Sequence, residues 1–476
     1  MVSNRQFIGL QLFIVLVCSV AAPGAQDQSK QELDKEYRLA VNDYEAGRYE
    51  QAARSLETLL PYAGSSSTIH ELLGLVYASL NEPERAVDEL KTAVQLKPDW
   101  VEARTNLATA LLRSGKNELA GEQFRRALAL EPNGYDTNHN LGEFYAQSGK
   151  LAEAWPLLEQ ARTVSPGVYE NTYDLAMTDF LLGRNDEART LALDLVRQKD
   201  SGEVHNLLGQ IDEKQGKYVA AATDYEVAAH LDPSEDNLFD WGSEMLLHRT
   251  YEAAIPIFQE AARRYPKSPR ILIGLGLSLY SRGKYDEAVT ALLAAIAINP
   301  ADSRAYVFLS KAYNSSPLQA DEVVEAFRRY AETQPNRALA QYYYAISLWK
   351  GKRTEDTNLD QKAVENLLLK SASLDDSLAD AHVQLGNLYA DQHKYEKSIP
   401  QYVRALELDP NLADAHYRLG TDYVHVGQKE SAQKEFAVYQ KLRAQHLDEV
   451  ERERAAVQQF VFDAKSGTSK PSDRTN

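Results

Sequence analysis

The chain has 476 residues, 44% of them hydrophobic and 25% charged, a composition that excludes disorder as its general state. A formal net charge of −17, with no local run of Lys and Arg, argues against nucleic acid as a partner. The only cysteine is Cys18, so the chain beyond it has no disulfide, no thiolate metal site and no cysteine nucleophile.

The N-terminus reads MVSNRQFIGLQLFIVLVCSVAAPGAQ, with one basic residue, Arg5, an apolar run over 7–20 and small residues after it. This is the pattern of a secretory signal peptide, expected over 1–25 with cleavage after Ala22 or Ala25. The run is shorter than the roughly 20 residues that span a bilayer, so an uncleaved membrane anchor is the weaker alternative. A lipoprotein signal wants a small residue before its cysteine, and Val17 before Cys18 is not small, so lipidation is a further, weaker alternative. The expected location is therefore periplasmic or secreted.

From residue 33 the chain repeats itself. Three rows show it: NLGEFYAQSGKLAEAWPLLEQARTVSP, GLGLSLYSRGKYDEAVTALLAAIAINP and QLGNLYADQHKYEKSIPQYVRALELDP. Repeats start at 33, 67, 101, 135, 169, 202, 235, 269, 303, 338, 379 and 413. The eighth position is small in every repeat: glycine at 74, 142, 209, 242, 276, 386 and 420, alanine or serine in the other five. A second small residue follows twelve later, from Ala52 to Ala288 in the first eight repeats, and Val323 alone breaks that row. Between the two lies a turn, often with glycine (47, 115, 149, 183, 216, 283, 427), and eight repeats end in proline. Each repeat thus reads as two helices in close approach at their small positions.

The pattern resembles the tetratricopeptide repeat family from residue 33 into the 440s. The resemblance implies an all-α, right-handed superhelical solenoid of antiparallel helix pairs over 26–446, whose first helices line a concave channel. It also implies the binding of a protein or peptide and no chemistry of its own. Two departures stand out: NSSPLQADE replaces a turn at 314–322, and an insertion occupies GKRTEDTNLDQ at 351–361. A C-terminal capping helix is expected over 447–464 and a disordered tail over 465–476. Leu447, Val450, Val457 and Val461 recur near heptad spacing, so a dimer through that helix is the alternative to the expected monomer.

Catalytic and metal motifs do not emerge. His70, His205, His382 and His416 all stand fourth in their repeats, a slot for packing between helices rather than for ligation. Gly274 and Gly276 form a G-x-G inside a helix, which is no phosphate loop, and the sequon Asn314-Ser315-Ser316 matters only in a eukaryotic secretory pathway. The family's peptide-end clamp needs lysine, arginine and asparagine on successive first helices; here that face carries Thr105, Asn106, His139, Asn140, Tyr173 and Asp174, so the clamp is not built. No metal or cofactor is expected.

The channel face becomes apolar in repeats seven to ten. Phe239, then Ile273, Leu277 and Tyr280, then Val307 and Phe308, then Tyr342, Tyr343, Ile346 and Trp349 fall at its positions five, six, nine and twelve. They are the expected partner-binding residues; the competing reading is that the insertion at 351–361 folds over these rings or that the superhelix closes upon them. The function expected is an exported, non-enzymatic scaffold; a glycan- or lipid-handling accessory of the cell envelope is the alternative, because aromatic rings also stack on sugars.

Overall fold

The computed structural model describes residues 23–315, 319–351, 361–444, 455, 457–459 and 461–462. The expected signal peptide up to residue 22, the insertion over 352–360, most of the capping helix and the tail lie outside the described residues. The chain divides into two compact units, Met1–Asp200 and Ser201–Asn476.

The first unit holds five helix pairs. They are α1 (Pro23–Glu45) with α2 (Tyr49–Ala63), α3 (Ser67–Ser79) with α4 (Pro83–Leu96), and α5 (Val101–Arg113) with α6 (Asn117–Leu130). α7 (Tyr135–Gln147) pairs with α8 (Leu151–Val164), and α9 (Tyr169–Leu181) with α10 (Asn185–Gln198). The second unit continues with α11 (Gly202–Lys214), α12 (Tyr218–Leu231), α13 (Glu235–Leu247), α14 (Tyr251–Arg264), α15 (Pro269–Ser281) and α16 (Tyr285–Ile298). Then come α17 (Ser303–Ser315), α18 (Ala320–Thr333), α19 (Ala338–Gly351) and α20 (Gln361–Leu374). It ends with α21 (Ala379–Asp391), α22 (Tyr395–Leu408), α23 (Ala413–His425) and α24 (Lys429–Ala444). Among the described residues there is no strand. From α3 onward, every first helix begins at the residue where its sequence repeat begins. Within each unit, a helix packs on its pair partner and then on the first helix of the next pair, so each unit is a tandem stack.

The eighth position does more than meet another small residue. A Cβ added to Gly276 would lie 2.6 Å from Leu292 Cγ, sixteen residues on in the paired helix. The same offset joins Gly74 to Leu90, Gly142 to Leu158, Gly209 to Tyr225, Gly242 to Phe258, Gly386 to Tyr402 and Gly420 to Phe436. The second small row, Ala52 to Ala288, is wholly buried. A missing side chain on one helix therefore receives a large one from the other, and interior packing density leaves no slack there.

The turn between paired helices needs a left-handed residue. Seven glycines supply it at φ between 71° and 81°. Asn81, Arg249, Gln319 and His393 take the same conformation at φ of 58–61° with a side chain attached. The sequence signal, glycine, marks only part of a backbone requirement that the stack imposes on nearly every repeat.

In the first unit the channel face of the first helices is polar and hydrogen-bonded. Asn106 Nδ2 donates to Glu71 Oε1 at 2.8 Å, and His139 Nδ1 lies 3.1 Å from Asn171 Oδ1. Glu71 is only 7% exposed, and burial raises its carboxyl to about 7 against the opposing bond from Asn106.

Three outcomes follow from this packing. Gly276→Ala should lower stability in urea unfolding by about 1–3 kcal/mol through overpacking on Leu292, although alanine is the better helix former by about 1 kcal/mol. Arg249→Gly should raise stability by about 1 kcal/mol in the same measurement, by removing left-handed strain. For Glu71 the folded pKa lies above the unfolded one, so its contribution is complete below about 4.5 and lost as pH rises through about 7. Glu71→Gln should then become more stable than the parent as pH rises from about 5 to 8, by up to about 3 kcal/mol; a pH-independent difference would show that the carboxyl is not held protonated.

Candidate partner-binding site

The apolar face arises because four successive first helices, α13, α15, α17 and α19, lie side by side in the second unit. At its N-terminal edge Arg270 ties α15 to α13. Its Nε donates to Glu235 at 2.6 Å, its Nη2 donates to Asp236 at 2.5 Å, and the guanidinium sits 5.0 Å from the centre of the Phe239 ring. Such a cation over an aromatic face holds the two helices in register at the channel mouth.

The ten expected residues divide into two sets. Phe239 and Ile273 are fully buried, Leu277 is 1% exposed, and Phe308 and Ile346 are 5% exposed. These five belong to the core and offer no surface while the chain is folded as described. Phe239 packs edge-on against Phe258, 6.2 Å between ring centres, which explains its inward turn. Tyr280, Val307, Tyr342, Tyr343 and Trp349 are half-buried and form the remaining rim.

The run QYYYAISLWK over 341–350 is apolar all round because it joins two clusters. Tyr343 and Tyr344 pack against the large cluster that includes Phe239, Ile273, Leu277, Phe308 and Tyr330. Tyr342, Leu348 and Trp349 pack against a second cluster formed by Ala345, Ile346, Val364, Leu368 and Leu385. The Tyr343 ring lies 5.5 Å from Phe327 of α18 and 5.5 Å from Tyr342. Burial first, and the Asp380 carboxylate second, push both phenols well above their usual range. Gln341, the one polar side chain at the start, is 2% exposed and donates from Nε2 to the Ala331 carbonyl at 3.1 Å.

A segment far along the chain joins the large cluster. Val461 is 3% exposed and belongs to the large cluster, and Val457 packs against that cluster. These two residues fall in the expected capping helix and in the heptad-like row, and both are turned into the second unit's core. Sequence reading had no signal for this placement, because two valines spaced four apart fit a cap, a seam or a groove equally well.

The histidines hold helix pairs together through polar bonds. Each of the four at position four reaches an acceptor nineteen residues later: His70 Nδ1 lies 2.5 Å from Glu89, His205 Nδ1 2.8 Å from Asp224, His382 Nδ1 2.9 Å from Gln401 and His416 Nδ1 2.5 Å from Glu435. The bond to Glu89, opposed by burial, raises the His70 pKa. Among the described residues no three His, Cys, Asp or Glu side chains converge as a metal would need.

Sequence reading also passed over an open polar recess of about 590 Å³ at the last two repeats. Its residues come from α21, α22 and α23, with Tyr395 stacked on His425 at 4.5 Å and Asp422 accepting from Ser398 Oγ. No helix among the described residues is long and apolar enough to cross a membrane.

Family models described as tetratricopeptide repeat match residues 37–99, 105–167 and 242–303, and another matches 145–211. A TPR repeat model matches 386–424. A search of curated proteins returns no match. Among solved structures, the chain is similar to PilW, a widely conserved type IV pilus biogenesis factor, at 22% identity over 44% of this chain and 96% of that one, TM-score 0.40. It is similar to PilF of Pseudomonas aeruginosa at 21% identity over 42% and 93%, TM-score 0.37. A third is YrrB, a TPR protein with an unusual peptide-binding site, at 16% identity over 42% and 100%, TM-score 0.34. Repeat models fall in both units, and the helix pairs keep the register of the sequence repeat throughout: the chain belongs to the tetratricopeptide repeat family.

Proposed function

We propose that this chain is an exported, non-enzymatic scaffold that holds a protein or peptide against the first-helix faces of repeats seven to ten. Proteins of this repeat family bind protein or peptide partners, which supports the general class. The observation that carries the location is a change of chemistry along one face. Repeats three to five present Thr105, Asn106, His139, Asn140 and Asp174, whereas repeats seven to ten present the half-buried Tyr280, Val307, Tyr342, Tyr343 and Trp349 beside the buried Phe239, Ile273, Leu277 and Phe308. Apolar side chains concentrated at equivalent positions are what a partner's apolar residues would bury against. The leader-like segment over 1–25 supports export.

Tyr280 and Val307 are the rim positions best suited to a test, being half-buried. Peptides selected from a random library on the purified chain should bind Tyr280→Ser and Val307→Ser at least tenfold more weakly, about 1.4 kcal/mol. Thr105→Ala and Asn140→Ala should leave their affinity unchanged. The opposite ranking would move the site to the polar face. N-terminal sequencing of the exported protein should begin after Ala22 or Ala25.

A further inference from the structure

The geometry points to an intramolecular occupant of this channel: the segment around Val457 and Val461 fills the place of a partner's amphipathic helix, and a partner must displace it. The inference rests on the channel reading above and adds to it both a regulation and a partner class.

Burial along the repeat carries the argument. The ninth position of the first helix faces the channel and is half-buried in nine repeats, from Val41 through Thr109, Glu143, Gln210 and Lys311 to Thr421. It is fully buried in three: Ser243 and Leu277, and Ile346, which is covered separately by its own cluster with Val364 and Leu368. Leu277, with Phe239 and Ile273 beside it, belongs to the cluster that also contains Val461. Ser243 is wholly buried and its hydroxyl makes no hydrogen bond among the described residues. A hydroxyl so placed has lost water without gaining a partner, a cost that the half-buried Thr109, Glu143 and Gln210 avoid through hydrogen bonds with Thr105, Gln147 and Asn206.

The covering segment has the right form. Its described residues are helical, with Val457 and Val461 one turn apart on the inner side and Ala455, Gln458, Gln459 and Phe462 exposed. That is an amphipathic helix laid in an apolar groove, anchored at i and i+4. Because it is tethered, its local concentration is on the order of millimolar. A free partner therefore sees an affinity reduced by the fraction of chains that are open. The partner class that fits is a helix with aliphatic residues at the same spacing.

The test uses the full chain and a fluorescently labelled synthetic peptide of residues 449–464. Substituting Val457→Asp and Val461→Asp together should release the cover, so that this variant binds the labelled peptide at least tenfold more tightly than the parent does. A peptide carrying the same two substitutions should bind neither. The helical circular-dichroism signal should be retained; if the aspartates unfold the second unit, Val461 is a core residue and the inference is overturned. The milder pair Val457→Ala and Val461→Ala should raise peptide affinity in the same direction, and no change in either pair overturns the inference as well. The two readings fail separately. Library-selected peptides that bind parent and released variant equally at the Tyr280 rim would leave the scaffold standing without its cover. Uptake of the 449–464 peptide while selected peptides ignore Tyr280→Ser would leave the cover standing without the scaffold.

Discussion

Paired helices in this chain can approach only where the eighth position of the first helix withholds its side chain, because the residue sixteen later needs that space. Leu90, Leu158, Tyr225, Phe258, Leu292 and Tyr402 each fill the gap left by a glycine. Most of the architecture depends on this exchange of volume. The gap fixes the depth of each pair, the wholly buried alanines at the second small position fix its angle, and the left-handed turn joins the two helices. Since each pair is complete only when the next pair covers it, the same few contacts repeated along the chain build both units.

Local constraints of this kind leave a periodic trace, so the fold was largely legible in the sequence. Glycine at 276 or 386 is a direct record of a steric demand, and eleven helices start where their repeats do. The partner of position eight was misread, because two small rows twelve apart suggest small against small, whereas the structure sets small against large. Turn residues were legible only where the chain uses glycine; Arg249 and His393 carry the same backbone with no mark in composition. The histidines were placed correctly between helices, but their acceptors nineteen residues on could be known only once the helices were paired.

The candidate site was less legible, for a physical reason. Periodicity tells which face a residue shares, and it placed Phe239, Ile273, Leu277 and Phe308 on one face. It cannot tell what lies over that face. Val457 and Val461, far outside the repeat, pack with the same cluster, and no short-range pattern connects them to it. Polar faces in the first unit are satisfied between neighbouring repeats, Asn106 by Glu71 and His139 by Asn171.

Separation along the chain gives the Val461 contact a place in time. Among the described residues, the side-chain hydrogen bonds that stitch neighbouring repeats join residues at most 35 apart, so they can close as soon as the next helix has been made. Val461 joins a cluster whose other buried members end at Ala340, a loop of about 120 residues. Longer loops close at greater entropic cost, so the local contacts of repeats seven to ten can form before the Val461 contact does. On the proposed reading of that segment as a cover, a partner that meets the chain during this interval finds the apolar face without competition.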